Sequence, residues 1–199
     1  MNAHPVQLQV EPAKLHRIHV AVRLVLLCAL AMVGCSSMYW LLYLAVPALV
    51  ALMVSGDGAQ HYLGREAPAF VRALRWLAGA YAYLWLLTDA VPTDDASGPV
   101  QLEMRVEGVP TAGSALSRLV TSLPALLLLA LMSLVATPLW IVGAVCILAV
   151  ERMPAAITDF ITMKLRYQFR LVAYHLSLVD AYPVVSDTEL PHAPHSHPA

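Results

Sequence analysis

Two long stretches of the chain contain neither a charged residue nor a histidine. Leu24 to Val54 is the first, with 31 residues, and Leu119 to Val150 is the second, with 32. Because about 20 apolar residues suffice to cross a bilayer, each stretch predicts one long transmembrane helix. At about 1.5 Å per residue, such a helix exceeds a hydrocarbon core of about 30 Å. Pro47 and Pro138 predict kinks that absorb part of the excess.

The first stretch allows an alternative, because Gly34-Cys35-Ser36-Ser37 could form a turn near its middle. The second stretch has only leucine and alanine there, over residues 126–131, so one helix per stretch is the interpretation that suits both. The segment ending at Cys35 is also similar to a lipoprotein signal. The chain stays apolar after this cysteine, which favours an uncleaved helix.

The sequence also contains an internal repeat. Pro5-Val6-Gln7-Leu8 recurs as Pro99-Val100-Gln101-Leu102, and Leu15-His16-Arg17 aligns with Leu116-Ser117-Arg118. Beyond these segments a constant shift of 91 applies, and residues 74–92 match residues 165–183 at eight of nineteen positions. This self-similarity predicts two tandem units. The predicted boundaries are 5–92 for unit one, 93–98 for a linker, 99–183 for unit two and 184–199 for a flexible Pro/His-rich tail.

Each unit has three predicted elements. Residues 100–107 alternate between apolar and polar with a period of two, which is typical of a strand, and the long apolar helix follows. The third element, at 68–87 and 154–179, has a helical pattern, carries charge and ends at Asp-x-x-Pro. The predicted fold is thus an all-α integral-membrane protein with two spans, or up to four if these third helices also cross.

The charged helix of unit two presents two polar stripes. A helix of this kind is costly as a lone membrane span. We therefore expect it to lie at the membrane interface or against protein. The first stripe is Asp159, Arg166, Arg170 and Ser177, and the second is Lys164, Gln168 and His175.

The amino-acid composition is typical of a protein that lies in a lipid membrane. Of the 199 residues, 59% are apolar and 13% are charged, and the formal net charge is −1. A near-neutral chain of this kind is neither a polybasic nucleic-acid binder nor an acidic disordered protein. The three cysteines have no CxxC spacing and indicate neither a disulfide framework nor a metal site.

Candidate chemistry is sparse. No phosphate-binding loop, nucleophile elbow or metalloprotease motif occurs, so we predict a non-enzymatic protein without a cofactor or metal. His16 and His19, one helical turn apart, could share a metal or a haem, but interfacial histidines are the simpler interpretation. The tail histidines could bind metal weakly in solvent. They are His192, His195 and His197.

Basic residues of the third helices form the candidate lipid or partner contact. These are Arg75, Arg166, Arg170 and Lys164. Arg75 and Arg166 recur in a Leu-Arg-aromatic motif, which indicates a common role. An arginine fork suits lipid phosphate or an acidic partner group. The alternative is that these residues only anchor an interfacial helix, without selectivity.

The same helices suggest a clamp between the units. If each unit crosses the membrane an odd number of times, the units form an inverted repeat. The charged helices could then pack antiparallel, so that Arg75 pairs with Asp180 and Arg166 with Asp89. An even number of crossings would place the two strand segments on one side, free to pair, and would forbid the clamp.

At these motifs the chain resembles a bacterial integral-membrane family known only as a domain of unknown function, in which such units occur in tandem. Leu165-Arg166-Tyr167 and the segment 178–183, Leu-Val-Asp-Ala-Tyr-Pro, carry the resemblance. Unit one departs from the pattern at His61-Tyr62-Leu63 and at Val91. The resemblance implies the fold and a membrane location, and it implies no activity.

These observations lead to one functional expectation. We expect a non-enzymatic accessory or scaffold subunit of a bacterial inner-membrane complex. It would be a multi-pass protein with lipids and membrane proteins as partners and no nucleic acid. The alternative is a membrane protein that binds lipid or a small molecule, or a transporter component.

Overall fold

A computed structural model describes residues 4–11, 15–32, 35–92 and 98–185 of the chain. This part of the protein is mostly helical, as predicted, with two short strands. The elements in chain order are β1 (Val6–Val10), α1 (Arg17–Met32), α2 (Cys35–Asp57), α3 (Ala59–His61), a π-helical turn (Tyr62–Glu66), α4 (Ala67–Leu84), β2 (Val100–Met104), α5 (Ala112–Thr121), α6 (Leu123–Val150) and α7 (Ala155–His175).

The first apolar stretch is helical wherever the structure describes it, so its helical character is confirmed, while its continuity as one long helix stays a prediction. α1 ends at Met32 and α2 begins at Cys35, while residues 33–34 lie outside the described part. Three residues of the alternative turn, Cys35, Ser36 and Ser37, belong to α2, and Gly34 lies outside the described ranges.

The second apolar stretch is mostly one helix, as predicted. α6 begins at Leu123, however, because α5 ends at Thr121 and Pro124 lies in the first turn of α6. Proline is well tolerated there, since the first N–H groups of a helix have no partner within it. Among the described residues, α6 is the one unbent helix long and apolar enough to cross a membrane.

A second candidate span is sharply bent. The helical segments 43–57 and 59–84 meet at an angle of 116° and pass the same length and hydropathy criteria only when taken together. Gly58 lies at the bend with a φ of 84°. Glycine adopts this left-handed conformation without the steric penalty of a side chain. The described residues thus offer one straight candidate span and one bent one.

The two charged helices exist but end earlier than predicted. α4 ends at Leu84 and α7 at His175, and each is followed by a tight turn with a left-handed residue. These residues are Leu86, with a φ of 63°, and Ser177, with a φ of 54°. The amide of Leu87 donates to Ala82 O at 2.9 Å in the first turn. Each Asp-x-x-Pro sequence therefore lies beyond its helix.

The strands pair with each other. β1 and β2 are antiparallel, and Leu8 lies opposite Leu102 at the centre of the register. Val6 and Leu8 are fully buried. The sequence left open whether the two strand segments pair or whether the charged helices form a clamp. In the structure the strand segments pair.

Packing crosses between the two halves of the chain. α2 packs against α5 and α1 against α6, while α7 lies along β1 and α4 along β2. More than half of the residues of α7 are buried. We expected this helix to lie at the membrane interface or against protein, and it lies against protein. The main core collects apolar residues of both strands, α2, α4 and α7, such as Leu8, Val50, Leu74, Leu102 and Leu165.

Candidate functional site

Arg23 forms the first of two similar polar clusters. Its side chain is fully buried, and its Nη2 donates to Thr88 O and, at 2.7 Å, to Asp89 Oδ1. The guanidinium carbon lies 4.3 Å from the ring centroid of Tyr83, within the range of a cation–π interaction. Asp89 Oδ2 accepts a hydrogen bond from the amide of His16 at 2.6 Å. The arginine thus holds α1 to the turn after α4.

Arg118 forms the second cluster. Its Nη1 donates to Tyr174 O at 2.6 Å and to Val179 O at 2.7 Å, and its Nη2 donates to Asp180 Oδ1. The guanidinium carbon lies 4.5 Å from the ring centroid of Tyr174. Asp180 Oδ2 accepts from the amide of Val109 at 2.9 Å. We call each of these clusters, an arginine with its tyrosine, carbonyl and aspartate, an arginine bracket.

The two brackets use equivalent positions. The tyrosines, the carbonyl residues and the aspartates are all related by the shift of 91, but the arginines are 95 apart. Our sequence alignment, which placed Arg17 opposite Arg118, is therefore corrected by the contacts: Arg23 is the counterpart. Arg17 forms a surface pair with Glu151 at 3.2 Å. The match between Leu15-His16-Arg17 and Leu116-Ser117-Arg118 has only two identical residues, which are too few to establish the alignment of the two units.

Sequence reasoning missed Arg23 and Arg118 as key residues, although a signal was present. Each is the last charged residue before a charge-free stretch, since Leu24 and Leu119 follow directly. An arginine at the edge of an apolar helix is costly to bury unless it has partners. The sequence contains both partners at equivalent places, in Asp89 and Asp180.

Asp89 and Asp180, which we predicted to form the clamp between the units, belong to the two arginine brackets instead. Ion pairs between Arg75 and Asp180, or between Arg166 and Asp89, are not formed in the described part of the chain. The reason is the tight turn after each helix, which directs Asp89 toward α1 and Asp180 toward α5. Each aspartate is thus bound within its own half.

Arg75 and Arg166 do connect the two halves, but through backbone carbonyls. Arg75 Nε donates to Leu102 O at 3.3 Å, and Arg166 Nε and Nη2 donate to Leu8 O, both at 3.1 Å. Leu8 and Leu102 are partners in the strand register. Each arginine therefore binds the strand from the other half. Both side chains are partly exposed.

Lys164 and Arg170, which we expected at lipid or a partner, are buried. Arg170 Nε donates to Val6 O at 3.1 Å, and its Nη1 donates to Val184 O at 2.7 Å. Lys164 Nζ donates to Gln168 Oε1 at 2.9 Å and lies 4.3 Å from the Trp85 ring centroid. Burial lowers the pKa of Lys164 to about 8. Both cations are therefore held inside the protein and are inaccessible to lipid headgroups.

Two of the histidines singled out earlier, His16 and His19, lie in the described part of the chain. The rings of His16 and His19 are 6.5 Å apart, and His19 Nδ1 lies 3.1 Å from the Tyr83 hydroxyl. No group of three or more His, Cys, Asp or Glu side chains that could hold a metal lies within the described ranges. The tail histidines fall outside these ranges.

A surface cavity of about 320 Å³ lies between the beginning of α4 and the end of β2. As far as the described residues go, its lining contains two arginines and no carboxylate. The lining residues are Leu63, Ala67, Pro68, Val71, Arg72, Arg75, Met104 and Val106. The cavity combines positive charge with apolar walls, which suits an anionic amphiphile.

Comparison with known proteins agrees with the resemblance found in the sequence. Residues 113–186 match a domain of unknown function, DUF4389. This range contains α5 apart from its first residue, α6, α7 and the second arginine bracket. No curated protein and no solved structure matches the chain. The resemblance to a family known as a domain of unknown function is therefore confirmed over this range.

We predict that stability falls in acid because of His175. Burial, and secondarily the charge of Arg118, lowers the pKa of this histidine from 6.5 to about 4. Between these values the unfolded chain binds a proton that the folded chain does not, so stability decreases as the pH falls through this window. The loss is about 3 kcal/mol by pH 4. Unfolding of His175→Asn, compared with the parent from pH 7 to 4, should lack this part of the decrease; equal profiles would contradict the assignment.

Proposed function

We propose that this protein is a multi-pass protein of the bacterial inner membrane, built from two tandem units, and that it serves as a non-enzymatic accessory or scaffold subunit of a membrane complex. One observation carries the proposal. The buried arginines bind the protein's own backbone carbonyls and aspartates, whereas the face of α6 that the fold leaves exposed is apolar. Such an arrangement supplies a rigid surface for lipid or protein and leaves few groups for chemistry.

The exposed face of α6 supports a role in assembly. An apolar stripe of this length is unusual on a protein surrounded by water and marks contact with lipid or another protein. Its three- and four-residue spacing is also the spacing that packs helices together. Residues of the stripe that are more than half exposed are Leu127, Leu131, Leu134, Ile141 and Val145.

The duplicated brackets support two tandem units. Equivalent tyrosines, carbonyls and aspartates make equivalent contacts in the two halves, and the turns after α4 and α7 share a left-handed residue at the same place. The crossed contacts of Arg75 and Arg166 fit units related by an approximate twofold axis through the Leu8–Leu102 pair. The tandem arrangement follows from the combination of this contact pattern with the sequence repeat.

Rigidity favours a scaffold over a transporter. Alternating access requires one repeat to move against the other. Here the strands pair across the halves, and Arg75 and Arg166 each bind the strand from the opposite half. Movement of one half against the other would break these bonds together. The contacts therefore favour a fixed arrangement of the two halves.

Extraction in mild detergent followed by mass spectrometry tests the proposal. We expect a fixed set of membrane proteins to co-purify with the chain, and we expect Leu134→Trp, at a position 72% exposed on α6, to release at least one of them. Val25→Trp on the exposed face of α1 is the matched control, since it adds the same bulk elsewhere. Recovery of the chain from the soluble fraction would overturn the membrane location. A lone protein in the membrane fraction would overturn the scaffold.

The cavity beside α4 favours the second candidate function, a lipid-binding membrane protein. Its two arginines and apolar walls are the observation that supports it. In the extraction experiment this candidate predicts a stoichiometric bound lipid, with or without protein partners. The two functions are compatible, because the stripe on α6 and the cavity use different elements.

A further inference from the structure

We propose that the cavity between the beginning of α4 and the end of β2 is a binding site for an anionic membrane phospholipid, with Arg72 and Arg75 holding the phosphate. The proposal rests on the membrane location proposed above. It deepens that function by naming a ligand class and a site. It does not depend on whether the protein also has protein partners.

The two arginines are placed to act together. They are three residues apart on α4, so their side chains leave the same side of the helix. Arg75 is oriented through its Nε, which donates to Leu102 O, so this bond leaves its Nη1 and Nη2 for a ligand. Arg72 is exposed and forms no ion pair within the described residues. Two guanidinium groups of this kind bind phosphate through charge-assisted hydrogen bonds.

The remaining walls fit the apolar part of a lipid. Leu63 and Val71 come from one side and Met104 and Val106 from the other, so the cavity is apolar around its two cations. Its volume of about 320 Å³ is within the usual range for small-molecule sites. A free phosphate ion would use the arginines but gain nothing from these walls. The combination selects an amphiphile.

The equivalent surface of the other half lacks this chemistry. The shift of 91 places Asp159 where Pro68 lines the cavity, and Met163 where Arg72 stands. Asp159 is exposed at the beginning of α7 and would repel a phosphate. Arg72 therefore has no arginine counterpart in the other half, and the pair of Arg72 and Arg75 occurs in one half alone. This difference argues against a purely structural role for Arg72, because the equivalent helix folds without it.

Native mass spectrometry of the full chain in mild detergent tests the site. The purified protein is titrated with phosphatidylglycerol, with phosphatidylcholine of the same acyl chains and with inorganic phosphate. We expect phosphatidylglycerol to bind most tightly. Arg72→Gln should weaken it roughly tenfold, the effect of losing one charge-assisted hydrogen bond. Arg65→Gln is the matched control, because Arg65 is exposed nearby but does not line the cavity.

The outcomes separate the possibilities. Equal affinity of Arg72→Gln and the parent for phosphatidylglycerol would overturn the site and leave the membrane location intact. Equal affinity for the two lipids would remove the role of net charge and also overturn it. Inorganic phosphate that displaces the lipid at similar concentrations would identify a phosphate site in place of a lipid site. Arg75→Lys, which keeps the charge but loses the fork, should weaken lipid binding while the chain stays folded.

Discussion

Replacing Arg118 with methionine is expected to lower the free energy of unfolding by about 3 kcal/mol. The arginine is 5% exposed and donates to Tyr174 O, Val179 O and Asp180. Methionine keeps much of the side-chain volume but leaves Val179 O without its donor, while Tyr174 O still accepts from the amide of Ser177. An unsatisfied buried acceptor costs about 1–3 kcal/mol, and the lost charge-assisted bond to Asp180 adds to this cost.

Replacing Asp180, the aspartate of the same bracket, should lower the free energy of unfolding by less than replacing Arg118. The side chain of Asp180 is 49% exposed, so water can solvate it when its partner is lost. We expect Asp180→Asn to cost about 1 kcal/mol, and the double variant to cost less than the sum of the two single changes because the residues are coupled. Thermal or denaturant unfolding in detergent, monitored by circular dichroism, measures all three.

A surface pair supplies the control for this series. Arg17 and Glu151 lie 3.2 Å apart with side chains 57% and 55% exposed, and such pairs contribute at most about 1 kcal/mol. Arg17→Met should therefore change stability far less than Arg118→Met. If the two variants were equally stable, the bracket would be a consequence of the fold and not one of its supports.

Helix type was predictable from the sequence, and helix breaks were less so. The absence of charge between Leu119 and Val150 was enough to predict α6, because an apolar run of this length is typical of a long helix. The bend at Gly58 has only a local signal, a single glycine between two helical segments. Hydrophobic periodicity does not reveal such a bend, since both flanking segments are helical and the period does not change there.

The partners of the charged residues were the least predictable part. Arg75 and Arg166 were expected to meet carboxylates, yet both bind main-chain carbonyls of the strands. Every residue has a backbone carbonyl, so the sequence does not indicate which carbonyl accepts a hydrogen bond from an arginine. The turns after α4 and α7 were hidden as well, because Leu86 and Ser177 hold the left-handed conformation that glycine usually marks. Those turns direct Asp89 and Asp180 to the brackets.

Gly108 is the position where we expect one added methyl group to do the most damage. A Cβ at this residue would overlap Ser177 O and lie 3.1 Å from Leu178 C. The backbone cannot simply retreat, because the amides of Glu107 and Gly108 donate to Leu178 O at 3.1 and 3.0 Å. Movement of the turn would in addition displace Val179 O, which binds Arg118. The contact therefore connects a loop, a left-handed turn and a bracket.

We expect Gly108→Ala to destabilise the protein by about 3 kcal/mol, the upper part of the range for overpacking, since backbone atoms have to shift and hydrogen bonds are lost with them. Gly113→Ala is the matched control. It lies in α5 with no atom within 4 Å of its Cβ position, so alanine should stabilise the helix by up to about 1 kcal/mol. Unfolding midpoints should thus move in opposite directions for the two variants. A Gly108→Ala protein as stable as the parent would mean that the loop before α5 does not hold the turn after α7, and the second bracket would then depend on Arg118 alone.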